Sequence, residues 1–111
     1  MELSKELNEK VFEAIEIAKT TGKLKKGTNE VTKSVERGIV SLVVVAKDVN
    51  PKEIIMHLAP LCKEKDIPYV EISSKDELGT AAGLERPTSA VAIIQEGEAK
   101  NLVKEIVASL K

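Results

Sequence analysis

Apolar positions recur at helical spacing from the start of the chain. Leu3, Leu7, Val11, Ile15 and Ala18 fall on one face, Phe12 and Ile17 widen the stripe, and Gly22 supplies a stop. Residues 23–26 set Leu24 between lysines and predict a short edge strand, broken by Gly27. The next segment, 29–37, predicts a short helix: Val31 and Val35 lie four apart, Thr28 or Asn29 can cap its start, and Gly38 its end. Residues 39–46 contain LVVVA with no alternation, as expected of a strand covered by helices on both faces.

Asn50, Pro51 and Glu53 read as a cap, a proline at the first helical position and an acid at the third. They predict a helix to about Lys65 that buries Ile54, Leu58, Leu61 and Cys62. Residues 67–72 predict a strand entered through Pro68. Ser74 with Glu77 forms a capping box for a helix through Leu78, Ala81 and Ala82, which Gly83 ends. LERPTS is then a loop into a second continuous apolar strand, AVAII. From Gly97 a last helix buries Ala99, Leu102, Val103, Ile106 and Leu110. Strands alternating with helices over 111 residues predict one domain, 1–111, of the α/β class, with helices on both sheet faces. Parallel pairing of the long middle strands fits the crossover lengths; strand order stays open.

Only Phe12 and Tyr69 are aromatic, so aliphatic side chains build the core and nucleic-acid recognition on rows of aromatic rings is excluded. The net charge of −1 conceals a gradient. Residues 19–47 carry seven basic side chains against Glu30 and Glu36, whereas the flanking segments are both acidic. A local anion-binding face is therefore compatible with an acidic chain. Cys62 is the sole cysteine, which forbids an internal disulfide and a cysteine metal cluster. The first residues do not resemble a secretory signal, and no apolar run is long enough for a membrane helix. A soluble protein of the cytoplasm, without membrane association, is expected.

Catalytic chemistry finds little support. His57 is the sole histidine and falls within the third predicted helix, and Cys62 sits on that helix's apolar side with no base beside it. Metalloprotease and phosphate-loop motifs are absent, and neither a cofactor nor a metal is expected. The segment KKGTNEVTK, residues 25–33, is different. Its lysines can neutralise phosphate, Gly27 admits close approach, and Asn29 and Glu30 can read donors and acceptors on base edges. A carboxylate amid lysines suits a base N–H better than a phosphate. The same residues also describe an ordinary solvated helix start, with Thr28 as cap and Glu30 at the favourable dipole end. The loop holding Leu84, Arg86 and Pro87 is a second candidate surface, as are the strand-end positions Asp48 and Lys75.

KKGTNEVTKSVERG, the strand end LVVVAKDV, HLAPLCKEKDIPYVEISSKDELGTAAG and RPTSAVAI occur here in one order. Together they resemble the L-seven-Ae family of ribosomal proteins, the kink-turn RNA binders, with archaeal members in view. The resemblance spans residues 20–97. It implies a three-layer α-β-α sandwich around a four-stranded mixed central sheet. It also implies recognition of kink-turns: two stems, a bulge of about three nucleotides between them, and tandem sheared G·A pairs opening the second stem. By that resemblance Asn29, Glu30 and Lys33 contact the G·A pairs in the widened groove. Lys26, Gly27 and Thr28 meet nearby backbone or bases, with Arg37 at the edge. Asp48 orients Lys33 or its neighbours, Lys75 meets phosphate, and Leu84, Glu85 and Arg86 pack against the extruded nucleotide while Pro87 holds the loop's shape. An ordinary A-form major groove is too deep and narrow for side chains, so a base-reading helix needs RNA distorted in this way.

Two positions depart from the common archaeal pattern. Arg86 stands where many archaeal members carry an aliphatic residue, which implies weaker affinity for kink-loops. Lys47 stands where glutamate is common and adds charge beside the RNA. The partners implied are ribosomal RNA, box C/D and H/ACA guide RNAs, with ribonuclease P RNA as a further candidate. The central scaffold protein of box C/D particles and its 2′-O-methyltransferase follow, and a monomer is expected when free. Competing with a role shared between ribosome and guide particles are a dedicated box C/D scaffold absent from ribosomes and a small enzyme or metabolite-binding α/β domain.

Overall fold

The computed structural model describes residues 5–110, so Leu3 lies outside the described residues. Helix α1, Lys5–Thr21, buries Val11, Ile15 and Ala18 of the predicted stripe together with Ala14, while Leu7 is half-buried. A Cβ on Gly22 would strike the Gln95 carbonyl, so glycine alone lets the chain turn there into strand β1, Lys23–Lys26. Helix α2, Thr28–Glu36, buries Val31, Ser34 and Val35. Strand β2, Leu42–Ala46, is buried at every position. It starts three residues later than the apolar run suggests. Gly38 takes a φ of 70°, Ile39 is left 46% exposed, and the ladder is first met when the Ser41 N–H donates to the Ile93 carbonyl at 2.8 Å.

The helix expected from Pro51 to Lys65 is broken in two. A 3-10 turn at Lys52–Ile54 precedes helix α3, Leu58–Glu64. Pro51 is extended, with ψ at 150°, rather than at a helical position. Pro60 explains the break. In a continuous helix it would remove an internal hydrogen bond and clash with the preceding turn, but as the third residue of α3 its missing N–H costs nothing. Ile54 consequently points outward, 43% exposed, and Ile55 takes the inner place.

Strand β3, Tyr69–Ile72, begins after Pro68, whose carbonyl accepts the Val43 N–H. Helix α4, Lys75–Ala81, starts as predicted at Ser74, whose Oγ accepts the Glu77 N–H at 3.2 Å. Strand β4, Ala90–Gln95, is followed by a 3-10 turn at Gly97–Ala99 and helix α5, Lys100–Leu110.

The sheet order is β1-β4-β2-β3. Strands β2 and β3 are parallel, β2 and β4 antiparallel, and β1 antiparallel to β4. The antiparallel β2–β4 pair corrects the expectation that all the long middle strands run together. Helices α4 and α5 contact α1, while α2 contacts α3. The two groups enclose the four-stranded mixed sheet as a three-layer sandwich. Its core is aliphatic, with Ile15, Leu42, Leu58, Leu78, Ile93 and Ile106 among the fully buried side chains. Register brings Lys26 opposite Val91, Val45 opposite Ala90, and Ala46 opposite Ile72. The ends of β1, β2 and β3 therefore meet the start of β4 at one edge, and the segments that follow or precede them gather there.

Candidate nucleic-acid interface

Gly27 opens α2. Its φ of 90° and ψ of 148° lie where only glycine is comfortable, and a Cβ there would meet nothing within 4 Å. The backbone, rather than crowding, requires glycine, and the space above it is open to an approaching ligand. Gly27 also occupies the cap position, and no side chain caps the helix. This corrects the expectation of Thr28 or Asn29 as N-cap. The Thr28 hydroxyl instead meets Ser89 Oγ at 2.6 Å. The first-turn N–H groups of α2 are left without a side-chain cap, and the positive end of the helix dipole faces outward with them.

Asn29 and Glu30 are exposed, and Lys33, one turn further along, is exposed as well. At separations of three and four residues these side chains share one face. Among the described residues no side-chain cation lies within 4 Å of the Glu30 carboxylate. Arg37 continues the same row as the C-cap residue of α2. It stands about 12 Å from Asn29 along the helix axis, apart from the helix start.

The second stretch reaches this edge through backbone bonds. The Leu84 N–H donates to the Gly79 carbonyl at 2.8 Å, and Thr88 N–H to the Lys75 carbonyl at 3.2 Å. Ser89 is the junction. Its carbonyl accepts the Ala46 N–H at 3.0 Å while its hydroxyl holds Thr28, and next to it the Ala90 carbonyl accepts the Gly27 N–H at 2.9 Å. Residues 26–28 and the 84–89 loop are thereby tied together. Leu84 is half-buried, and Glu85, Arg86 and Pro87 are exposed. Asp48 does not reach Lys33. Its Oδ1 accepts the backbone N–H of Lys75 at 2.9 Å, which fixes the start of α4 to the end of β2. Lys47, half-buried, donates its N–H to the Ile72 carbonyl at 2.8 Å. Lys47, Asp48 and Lys75 thus belong to the same edge.

Sequence reasoning overlooked three positioning residues. Ser89 looked like ordinary loop, although it immediately precedes a buried strand. Gly79 lies within α4, where a Cβ would collide with the Arg86 carbonyl. A glycine inside a helix costs roughly 1 kcal/mol against alanine, which is the signal that some backbone lies close. Thr32 pairs its Oγ1 with His57 Nε2 at 2.7 Å. His57 is the N-cap residue of α3 rather than an interior helical residue, and this bond links α3 to α2.

Chemically reactive groups lie elsewhere. Cys62 is buried, and burial pushes its thiol from 9.0 up to about 11. Tyr69 is pushed from 10.0 to about 12 by burial and then by the Glu71 carboxylate. Among the described residues no group of three His, Cys, Asp or Glu side chains could hold a metal ion, and no helix is long and apolar enough to cross a membrane.

A sequence model of the "Ribosomal protein L7Ae/L30e/S12e/Gadd45 family" matches residues 9–103. Among solved structures, the Giardia lamblia 15.5kD RNA binding protein superposes with a TM-score of 0.92 at 35% identity. That match covers 97% of this chain and 90% of the other.

Proposed function

The chain belongs to the ribosomal protein L7Ae/L30e/S12e/Gadd45 family, and from that premise we propose that it is a non-catalytic RNA-binding protein that recognises and stabilises kink-turns. The observation that carries this reading is the junction at Ser89, which binds the start of α2 and the 84–89 loop to a single edge. There an exposed carboxylate that pairs with no cation among the described residues stands beside Asn29 and within a basic segment. Glu30 accepts guanine N–H groups of the sheared G·A pairs, Asn29 pairs with a base edge, and Lys33, Lys26 and Lys75 neutralise phosphate. The uncapped first turn of α2 offers backbone N–H groups to the RNA. Leu84 and the exposed Arg86 meet the extruded bulge nucleotide. Similarity to the Giardia RNA binding protein supports the RNA partner.

The RNA targets of this reading are ribosomal RNA and the box C/D and H/ACA guide RNAs, with ribonuclease P RNA a further target, in the cytoplasm. The large ribosomal subunit and guide particles containing a scaffold protein and its 2′-O-methyltransferase are the corresponding assemblies. A titration compares a kink-turn duplex with the same duplex after its G·A pairs are replaced by Watson–Crick pairs. Tighter binding to the kink-turn is expected, and equal affinity for the two overturns the reading.

A further inference from the structure

We propose that the groove between α1 and α4 docks a basic protein segment that projects lysine or arginine side chains beside an aliphatic anchor. The groove has a volume of about 520 Å³, and Phe12 and Ala81 give it apolar lining. Glu9 and Glu16 of α1 face it together with Asp76 and Glu77 of α4, against one cation, Lys5. Among the described residues, none of these four carboxylates lies within 4 Å of a side-chain cation. Asn8 also lines the groove, and its Oδ1 is buried without a hydrogen-bond partner. The terminal torsion of an asparagine is soft, so its amide can turn to accept an entering donor. An aliphatic side chain fits the apolar lining, while cationic groups fit the carboxylates and this acceptor.

Charge selects the class of occupant. Four carboxylates along two helices repel a polyanion and attract a cationic chain. Helices α1 and α4 contact each other, whereas α2 packs with α3 in the other helix layer. The basic start of α2 thus lies on one layer and the acidic groove on the other, with Lys75 at the start of α4 the point where the RNA edge comes nearest the groove. The inference requires no particular RNA target.

The free protein, labelled with nitrogen-15, is titrated with a synthetic amphipathic peptide that has arginine on one helical face and leucine on the other. Saturable shifts at the amides of Phe12, Thr80 and Ala81 are expected, weakening with added salt. The double variant Glu9→Lys/Glu16→Lys loses at least about tenfold in peptide affinity, since it places like charges opposite each other. Glu53→Lys/Glu64→Lys makes the same charge change near and on α3 and stays within about twofold, as expected for charges remote from the groove. If charge reversal on α1 unfolds the chain by circular dichroism, Glu9→Gln/Glu16→Gln is used and a smaller loss of the same kind is expected. Absence of saturation, shifts confined to α2, or equal losses in both lysine variants overturns the proposal. So do the same shifts at those amides produced by a short RNA added without peptide, which would make the groove a nucleic-acid site. None of these outcomes depends on the kink-turn titration.

Discussion

At the scale of single residues, Glu30 separates reading a base from neutralising a phosphate. It is exposed and pairs with no cation among the described residues, so its removal leaves the fold within about 0.5 kcal/mol, as for most surface substitutions. Glu30→Ala is expected to weaken binding to an RNA with intact G·A pairs by about 1–3 kcal/mol. On a plain duplex the carboxylate only repels phosphate, and the variant binds equally or slightly better. Parallel titrations of the two RNAs check the difference. Gly79 acts in the opposite way, through the fold. In Gly79→Ala the new Cβ meets the Arg86 carbonyl, so either α4 or the loop must move. A stability loss of about 1–3 kcal/mol in urea is expected, as for other overpacked sites, with weakened RNA binding. The residue types of the candidate site are legible in the sequence, because lysines, Asn29 and Glu30 around a glycine are themselves the chemistry that suggests it. Their supports were not. Ser89 and Gly79 act through backbone proximity, which no one-dimensional spacing records.

At the scale of elements, apolar periodicity located the helices and strands, and local backbone chemistry then trimmed them. The Ser74 cap holds as read, and Val11, Ile15 and Ala18 of the α1 stripe are buried, with Ala14 added to them and Leu7 half-buried. The helix after Asn50 fails because a start signal at Pro51 competes with Pro60, and the proline deeper in the segment wins. Pairing direction was out of reach, since β2 and β4 look alike to a hydrophobicity pattern whichever way they run. The junction between elements can be tested directly. Thr28→Val removes the bond to Ser89 and leaves a half-buried hydroxyl unpaired. A loss of about 0.5–1.5 kcal/mol is expected in denaturant unfolding. Ser89→Ala added to it costs less than the sum of the two single changes, because both delete one interaction. If the two losses simply add, the hydroxyls do not support each other, and the rigid link between α2 and the loop must come from the backbone bonds alone.

At the scale of the molecule, net charge and local charge predict opposite behaviour. A chain of net −1 should bind RNA with little sensitivity to salt, whereas a basic segment makes binding steeply sensitive. Lys26→Ala is expected to lower affinity on all RNAs alike and to reduce the slope of log K against log salt by roughly 0.7–0.9, one phosphate contact. The core has its own titration. Cys62 and Tyr69 are both held neutral by burial, at about 11 and about 12. Raising the folded pKa of a group that is neutral when protonated lets the unfolded chain release its proton first. Each group's contribution is therefore fully present below its unfolded value and fades as pH rises through the folded one. Stability should be unaffected by these two groups at neutral pH, then fall between pH 9.0 and about 11 as Cys62 titrates, and between 10.0 and about 12 as Tyr69 follows. Cys62→Ala removes the first part of that decline and keeps the second, which urea unfolding across alkaline pH resolves. A thiol so placed should also resist alkylation in the folded protein at neutral pH and react once the chain is unfolded. Rapid modification of the native chain would mean that the α3 side of the core opens far more readily than its packing implies.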